Sequence, residues 1–347
     1  MKILAISDTY IPEDYMIPGL ASLKERGADV IVRHWDHPTL VDLQQDNLAV
    51  EQGGPGAVVL PEDLVAEIET FDVLVVQFAP VSSALIDAAT NLKMICVLRG
   101  GTENVDVDHA TDRGICVLNT PGRLARAVAE CAVGMILAEI RNIARAHHLL
   151  QEGVWSRDFP NKADIPELGG RTVGLVGYGA IAQYAAQFLL GFDCRVIAFD
   201  PYFEGDPGRV ELTDLDTVLT ESDVISLHAR LTEETENLID AAAFDKMKPN
   251  AILVNTARSG LINEAALVSA LKSQKIMGAA IDVFDEEPID GSHPLVGLPN
   301  VTITPHLAGS TADGFRNSPK RMAAFLHQCL DGQREGLPVI NGVEPTL

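Results

Sequence analysis

Arg171-Thr172-Val173-Gly174-Leu175-Val176-Gly177-Tyr178-Gly179-Ala180-Ile181-Ala182 opens as a short, β-branched apolar run and continues as a glycine turn. The first half reads as a strand buried on both faces, and the second carries glycines at the spacing of a strand-to-helix phosphate turn. Gly177 makes the tight turn, and Gly179 lets the backbone approach a pyrophosphate with no Cβ in the way. Tyr178, Ala180 and Ile181 complete the turn, where the N–H groups that open the next helix meet phosphate charge. Ala182 takes the third small position, where helix packs on strand.

The residues beyond the turn agree with a dinucleotide site. A helical, alanine-rich stretch runs from Ile181 to Leu190, and a second strand, Arg195-Val196-Ile197-Ala198-Phe199, ends on Asp200. That offset suits an acid that accepts hydrogen bonds from ribose hydroxyls and repels a 2′-phosphate. Pro201 and Tyr202 come next rather than an arginine, so the expected cofactor is NAD and not NADP.

The outer bounds agree with such a domain. The chain has 347 residues, 47% of them hydrophobic, which is enough for two cores. A formal net charge of −23 argues against nucleic acid and against anionic membrane surfaces, since a phosphate backbone needs a basic face. The five cysteines (Cys96, Cys116, Cys131, Cys194, Cys329) are scattered and odd in number, and they read as reduced core residues of a cytoplasmic protein. No metal spacing appears. The chain begins directly with a strand, Lys2 to Ile6, so no signal peptide is expected, and no apolar run is long enough to span a bilayer.

Taken in order, the first part alternates strand and helix. Strands are expected at Lys2 to Ile6, Asp29 to Arg33, Asp72 to Val76, Met94 to Leu98 and Gly114 to Val117, with a helix near Tyr15 to Arg26. The polar stretch Gln44 to Gly56 reads as a loop or insertion. A single long helix is expected from Ala125 to Ala146, with Val128, Cys131, Ala132, Met135, Ile136, Ile140 and Ile143 on its apolar face. Trp155 to Gly170 reads as an irregular connection. Strands resume at Val224 to Leu227, Ala251 to Asn255, Met277 to Ile281 and Val301 to Thr304. This is an α/β chain with open, parallel sheets.

Ionisable groups stand just past three of these later strands, where a doubly wound sheet lines its ligand crevice. They are Arg258, Glu287 and His306. Together they suit hydride transfer to a 2-oxo acid. His306 delivers the proton that the former carbonyl oxygen needs, Glu287 orients the imidazole, and Arg258 forks toward a carboxylate. Arg99, Arg123 and Arg126 are further cations that could serve a phosphate, a second carboxylate or a polyhydroxylated acid.

With these residues in place, the sequence resembles the D-isomer specific 2-hydroxyacid dehydrogenase family, in a phosphoglycerate dehydrogenase-like form for which no regulatory domain is expected. The resemblance rests on Gly177 to Ala182 with Asp200, on Asn255-Thr256-Ala257-Arg258-Ser259-Gly260, on Asp282-Val283-Phe284-Asp285-Glu286-Glu287-Pro288 and on Thr304-Pro305-His306 with Gly309-Ser310-Thr311. It implies two doubly wound domains. A discontinuous, flavodoxin-like substrate domain would comprise residues 1–118 and 309–347, and a Rossmann NAD-binding domain residues 119–308, with the active site in the cleft between them. It also implies that Arg99, Gly100 and Gly101 meet the substrate carboxylate, with Asn104-Val105-Asp106 completing that motif. His228, Thr256, Ala257, Arg258 and Asp282 would add cofactor contacts, Asp282 at the nicotinamide carboxamide. A homodimer joined through the cofactor domains is expected.

The sequence departs from the pattern in places. Ser259 stands where glycine is common, Arg230 replaces a frequent proline, and Pro319 falls in the last long helix, which should start at Ser318 or bend there. The expected activity is NAD-dependent interconversion of a 2-oxo acid and a D-2-hydroxy acid. Alternatives on the same fold are a formate or phosphite dehydrogenase and an NAD-sensing corepressor. The formate branch carries glutamine where Glu287 stands, and the intact catalytic set favours an enzyme over a binding module.

Overall fold

The computed structural model describes all residues of the chain except Asp164. From the N-terminus the elements are β1 (Lys2–Ser7), α1 (Glu13–Lys24), β2 (Asp29–His34), α2 (Leu40–Gly53), β3 (Val73–Val76), α3 (Ser83–Ala88), β4 (Met94–Val97), α4 (Val107–Asp112) and β5 (Cys116–Leu118). Then come α5 (Ala125–Ile140), α6 (Ile143–Gln151), β6 (Thr172–Val176), α7 (Ala180–Leu190), β7 (Arg195–Phe199), β8 (Glu211–Leu212), α8 (Leu215–Glu221) and β9 (Val224–Leu227). The chain finishes with α9 (Ala241–Lys246), β10 (Ile252–Asn255), α10 (Glu264–Lys272), β11 (Gly278–Ile281), β12 (Val301–Ile303) and α11 (Ala312–Leu330). Two units result, one made of Met1–Arg123 with Thr311–Leu347 and the other of Leu124–Ser310. Among the described residues no helix is long and apolar enough to cross a membrane.

In the first unit the sheet order is β2-β1-β3-β4-β5, all parallel. Alternate residues of β3 enter different cores, Leu74 and Val76 on one face and Val73 and Val75 on the other, so helices must cover both faces. On the second of these faces α1 packs against α11. Gly19 permits that close approach, because a Cβ there would lie 2.5 Å from Cβ of Pro319. Pro319 is therefore inside α11, which starts at Ala312 and not at Ser318; the Thr311 hydroxyl, accepting from Gly314 N at 3.2 Å, sets the start. The tail returns to the sheet edge, where Ile340 N donates to Val117 O at 2.9 Å.

The stretch expected to be a loop at Gln44 to Gly56 is largely helix. Thr39 and Asp42 form a reciprocal capping box at the start of α2, and Gly54 ends it at a φ of +77°. Only Leu43 and Val50 of α2 are buried, too sparse a stripe to betray a helix by periodicity.

The helix expected over Ala125 to Ala146 is broken in two. Asn142 adopts a φ of +58°, the left-handed region in which asparagine is among the least penalised non-glycine residues. Its amide donates to Asn161 Oδ1 at 2.7 Å, and Asn161 in turn donates to Ile140 O at 2.9 Å, satisfying a carbonyl at the break. Ile143 consequently leaves the apolar face and is exposed, while Glu139 is buried on α5 against Arg145 and the Thr302 hydroxyl. Asp164, within the connection Trp155 to Gly170, lies outside the described residues; around it the chain is turns and coil.

In the second unit the order β12-β11-β10-β9-β6-β7-β8 is again parallel. The order reverses beside β6, whose neighbours are β7 and β9, and ligands of open α/β sheets bind at such a reversal.

Asp8, one residue past β1, is 1% exposed. Burial pushes its carboxyl up to about 6, against the backbone N–H groups of Ile11 and Tyr10 and the Arg123 charge, which hold it down. The unfolded chain therefore gives up this proton first, so ionising Asp8 removes stability as pH rises from about 4 to about 6. Asp8→Asn keeps an acceptor for both N–H groups. It is expected to stabilise the protein by about 3 kcal/mol at pH 8, with the gain nearly gone at pH 4. Urea unfolding at the two pH values checks this, and an equal or absent gain at both rejects it.

Candidate active site

The glycine turn after β6 lies at the reversal of the second sheet. Gly177 has a φ of +87°, and a Cβ on it would stand 2.6 Å from the backbone N of Ala229, just past β9. Gly179 caps α7, and the chain leaves the space beside it open, with no atom within 4 Å of where its Cβ would be. Gly179 and Ala180 are exposed and Ile181 half-buried, whereas the Tyr178 ring is buried edge-on against Phe203. Asp200 Oδ2 accepts from Tyr178 N at 2.7 Å and Oδ1 from Tyr202 N at 2.9 Å. The acid at the end of β7 is thus tied directly to the glycine turn, and each oxygen keeps a lone pair for a ribose hydroxyl.

Two further strand ends carry buried polar atoms with no partner among the described residues, His228 Nδ1 after β9 and Thr256 Oγ1 after β10. Burial pushes His228 down to about 4, so its ring is neutral near pH 7, and Nε2 meets the Ser226 hydroxyl at 3.0 Å. An open glycine cradle, an acid at ribose offset and unsatisfied polar atoms around the reversal fit a dinucleotide.

Arg258 follows β10 in extended conformation, with its guanidinium donating to Ala257 O at 2.7 Å. Asn255 builds this loop. Its Nδ2 donates to Arg258 O at 2.8 Å, and its Oδ1 accepts from Ala257 N at 3.0 Å. Residue order alone gives Asn255 no evident job; an asparagine closing a strand just before a loop is the signal that points to one.

Glu287 and His306 are together. His306 Nδ1 lies 2.8 Å from Glu287 Oε2, and Glu287 Oε1 accepts from Phe284 N at 3.0 Å. The carboxylate is therefore held from both sides. His306 sits at a φ of +49°, which costs a non-glycine residue about 1–3 kcal/mol unless its surroundings enforce it. Asp282 enforces it. This carboxylate is fully buried, and Oδ1 accepts from Leu307 N at 3.0 Å and the Thr304 hydroxyl at 2.5 Å, while Oδ2 accepts from Ala308 N at 2.9 Å. The backbone carbonyl of Asp282 also accepts from His306 N at 2.9 Å. Thr304 is the residue that could have betrayed this network, since a hydroxyl two residues before the histidine can reach the acid one strand away.

Arg99, Gly100 and Gly101 belong to the first unit, just past β4. Arg99 lies over the Phe78 ring, 4.1 Å from its centroid, and 3.3 Å from Glu103. The Gly100 carbonyl accepts from the Asn119 amide. Arg123 packs over Phe315 in the same unit, and Arg126 pairs with Glu130 on the surface of α5. Among the described residues no cluster of three or more histidine, cysteine or acidic side chains could hold a metal.

Residues 133–308 match the family model described as D-isomer specific 2-hydroxyacid dehydrogenase, NAD binding domain. A glyoxylate reductase of Thermofilum pendens is 40% identical over 278 residues, covering 78% of this chain and 82% of that protein. A hydroxypyruvate reductase of Thermotoga maritima is 44% identical over 258 residues, covering 74% and 83%. Among solved structures, a D-2-hydroxyisocaproate dehydrogenase superposes with a TM-score of 0.75 at 29% identity, over 99% of this chain and all of that one. The D-lactate dehydrogenase of Lactobacillus jensenii with NAD+ gives 0.75 at 26% identity, over 98% of this chain and all of that one. With an NAD cradle, a histidine bound to a carboxylate and a neighbouring arginine loop already in view, these matches establish that the chain belongs to the D-isomer specific 2-hydroxyacid dehydrogenase family, whose members are NAD-dependent oxidoreductases.

Proposed function

We propose that His306 is the general acid and base, Glu287 its partner and Arg258 the substrate anchor in the interconversion of a small 2-oxo acid and its D-2-hydroxy acid. The observation that carries this is the 2.8 Å contact between His306 Nδ1 and a Glu287 carboxylate fixed by Phe284 N. With Nδ1–H donating to Glu287, Nε2 is left to give a proton to the carbonyl oxygen or take one from the hydroxyl. Glu287 stabilises the imidazolium that forms in the oxidative direction. The Arg258 guanidinium pairs with the substrate carboxylate in a fork that a lysine cannot reproduce.

The bound nicotinamide supplies or accepts the hydride. Gly177, Tyr178, Gly179, Ala180 and Ile181 hold the pyrophosphate and Asp200 the ribose. His228, Thr256 and Ala257 line the strand ends, and the remaining lone pair of Asp282 Oδ2 is available to the carboxamide. Arg99, Gly100 and Gly101 are assigned to the substrate carboxylate. The names of the two relatives bring glyoxylate and hydroxypyruvate forward as substrates. Oxidation of NADH, followed by absorbance, against these two acids, phosphohydroxypyruvate and sugar-derived 2-oxo acids tests the reading. Turnover that collapses in His306→Ala supports it, and wild-type protein inert toward the whole panel sinks it.

The protein is further proposed to be a cytoplasmic homodimer joined through the second unit. α6 buries none of its side chains; Ile143 and Leu150 stand exposed on it and Val154 and Trp155 just beyond its end, Trp155 at 82%. An apolar face of this kind is self-complementary across a two-fold axis. Light scattering should give twice the chain mass for wild type and the single mass for Trp155→Asp. A Trp155→Asp protein that stays dimeric moves the interface elsewhere.

A further inference from the structure

The segment that carries Glu287 is held by side chains. From Asp282 to Asn300, between β11 and β12, the chain is turns and coil, so its shape depends on individual contacts rather than on a hydrogen-bonded ladder. Asp290 starts a turn within it. Its Oδ1 accepts from Ser292 N at 2.8 Å and from the Ser292 hydroxyl at 2.6 Å, and its carbonyl accepts from His293 N at 3.2 Å. The turn brings the His293 ring against Phe284, with centroids 5.3 Å apart and planes at 80°.

His293 is tied through both ring nitrogens. Nδ1 accepts from Leu295 N at 3.3 Å, which leaves the ring hydrogen on Nε2, 3.2 Å from Glu264 Oε2. Glu264 opens α10 beside the Asn263 cap, whose Oδ1 accepts from Ala266 N at 3.0 Å. Leu267, Ala270 and Leu271 anchor that helix in the core. One end of the clamp is therefore a packed helix, and the other is the segment with Glu287.

A continuous series of contacts leads from the clamp to the reacting group. Glu264 holds His293, His293 packs on Phe284, Phe284 N donates to Glu287 Oε1, and Glu287 Oε2 meets His306 Nδ1. A carboxylate fixed at one oxygen turns about it, so a shift of the Phe284 backbone changes how the other oxygen faces the imidazole.

We propose that His293, held by Glu264, is a positioning residue of the dehydrogenase: it sets the Phe284 amide, through it the Glu287 carboxylate, and so aims His306. This rests on the roles proposed for Glu287 and His306. A misplacement of about 1 Å, made away from the chemistry, can cost about 100-fold in rate.

Four single variants test it, with NADH and either glyoxylate or hydroxypyruvate, whichever wild type reduces faster. His293→Phe keeps a ring on Phe284 but removes both hydrogen bonds, and Glu264→Ala removes the acceptor from the helix side. Each should lower kcat by about 5- to 50-fold while KM and the NADH dissociation constant stay within about twofold. Glu264→Gln, which still accepts from Nε2–H, and His293→Gln, which can still donate to Glu264, should recover kcat to within about threefold of wild type.

In a Glu287→Gln background, His293→Phe should cost less than about twofold more, because the link it acts through is already cut. A role confined to stabilising the loop would lower kcat by the same factor in both backgrounds. That result overturns the proposal, and so does wild-type kcat in Glu264→Ala and a folded His293→Phe. If wild type reduces neither acid, or if Glu287→Gln and His306→Ala turn over like wild type, the roles proposed for Glu287 and His306 fail, and ¹⁵N NMR of the histidine rings decides the positioning separately. The His306 signals, identified by their loss in His306→Ala, should move in Glu264→Ala and return in Glu264→Gln. Signals unmoved in Glu264→Ala overturn it.

Discussion

His306→Ala is expected to lower kcat by about 10²- to 10⁴-fold while leaving NADH affinity within about twofold of wild type. The size follows from losing a positioned proton donor, and the selectivity from the location of His306, outside the glycine turn and exposed beside Glu287. Glu287→Gln should cost less, about 10- to 100-fold, because the amide oxygen can still accept from Nδ1–H, although its NH2 cannot replace the acceptor at Phe284 N and a neutral amide no longer stabilises an imidazolium. Stopped-flow NADH fluorescence separates binding from turnover. Loss of NADH binding in His306→Ala at unchanged thermal stability would place His306 in the cofactor site and remove it from proton transfer.

The network beneath His306 joins the ends of β11 and β12. Asp282 is fully buried, yet it accepts three hydrogen bonds from the chain segment that carries the histidine. The left-handed φ of His306 is enforced from below by an acid one strand away, and the imidazole is aimed from the side by Glu287.

Much of this was readable from residue order. The run Thr172 to Val176 followed by two glycines specified a strand, a turn and a helix, because a β-branched stretch ended by Gly177 has few other solutions. Asp200 was legible from its offset, and Arg258, Glu287 and His306 from their places after apolar runs. The break at Asn142 was not, since it is made by Asn161, nineteen residues away, and periodicity over Ala125 to Ala146 is blind to such a partner. Nor was α2, whose start depends on Thr39 and Asp42 and whose buried face is only Leu43 and Val50. Pro319 misled for a related reason. A proline forbids one backbone hydrogen bond, but the Thr311 cap and the contact with Gly19 outweigh that loss.

The two glycines of the turn should respond to substitution in opposite ways. At Gly177 the backbone φ of +87° penalises any side chain, and a Cβ would press on the Ala229 backbone, which has no flexible end to give way. Gly177→Val is therefore expected to destabilise the second unit by several kcal/mol, from about 1–3 kcal/mol of backbone strain together with overpacking against the next strand end. NADH binding should go with it. Gly179 has an ordinary negative φ and open space where its Cβ would be, so Gly179→Val should leave the apo-protein melting temperature within about 2 °C. Its cost should appear only with cofactor, as a rise of about 100-fold or more in the NADH dissociation constant, because the side chain takes the space through which the pyrophosphate approaches the helix N-terminus. Calorimetric melting without ligand and fluorescence titration with NADH read the two effects separately. A Gly179→Val protein that melts normally and binds NADH normally would move the dinucleotide away from this turn. Normal melting of Gly177→Val would mean that the strand end at Ala229 can yield, and that the turn is set by something other than this contact.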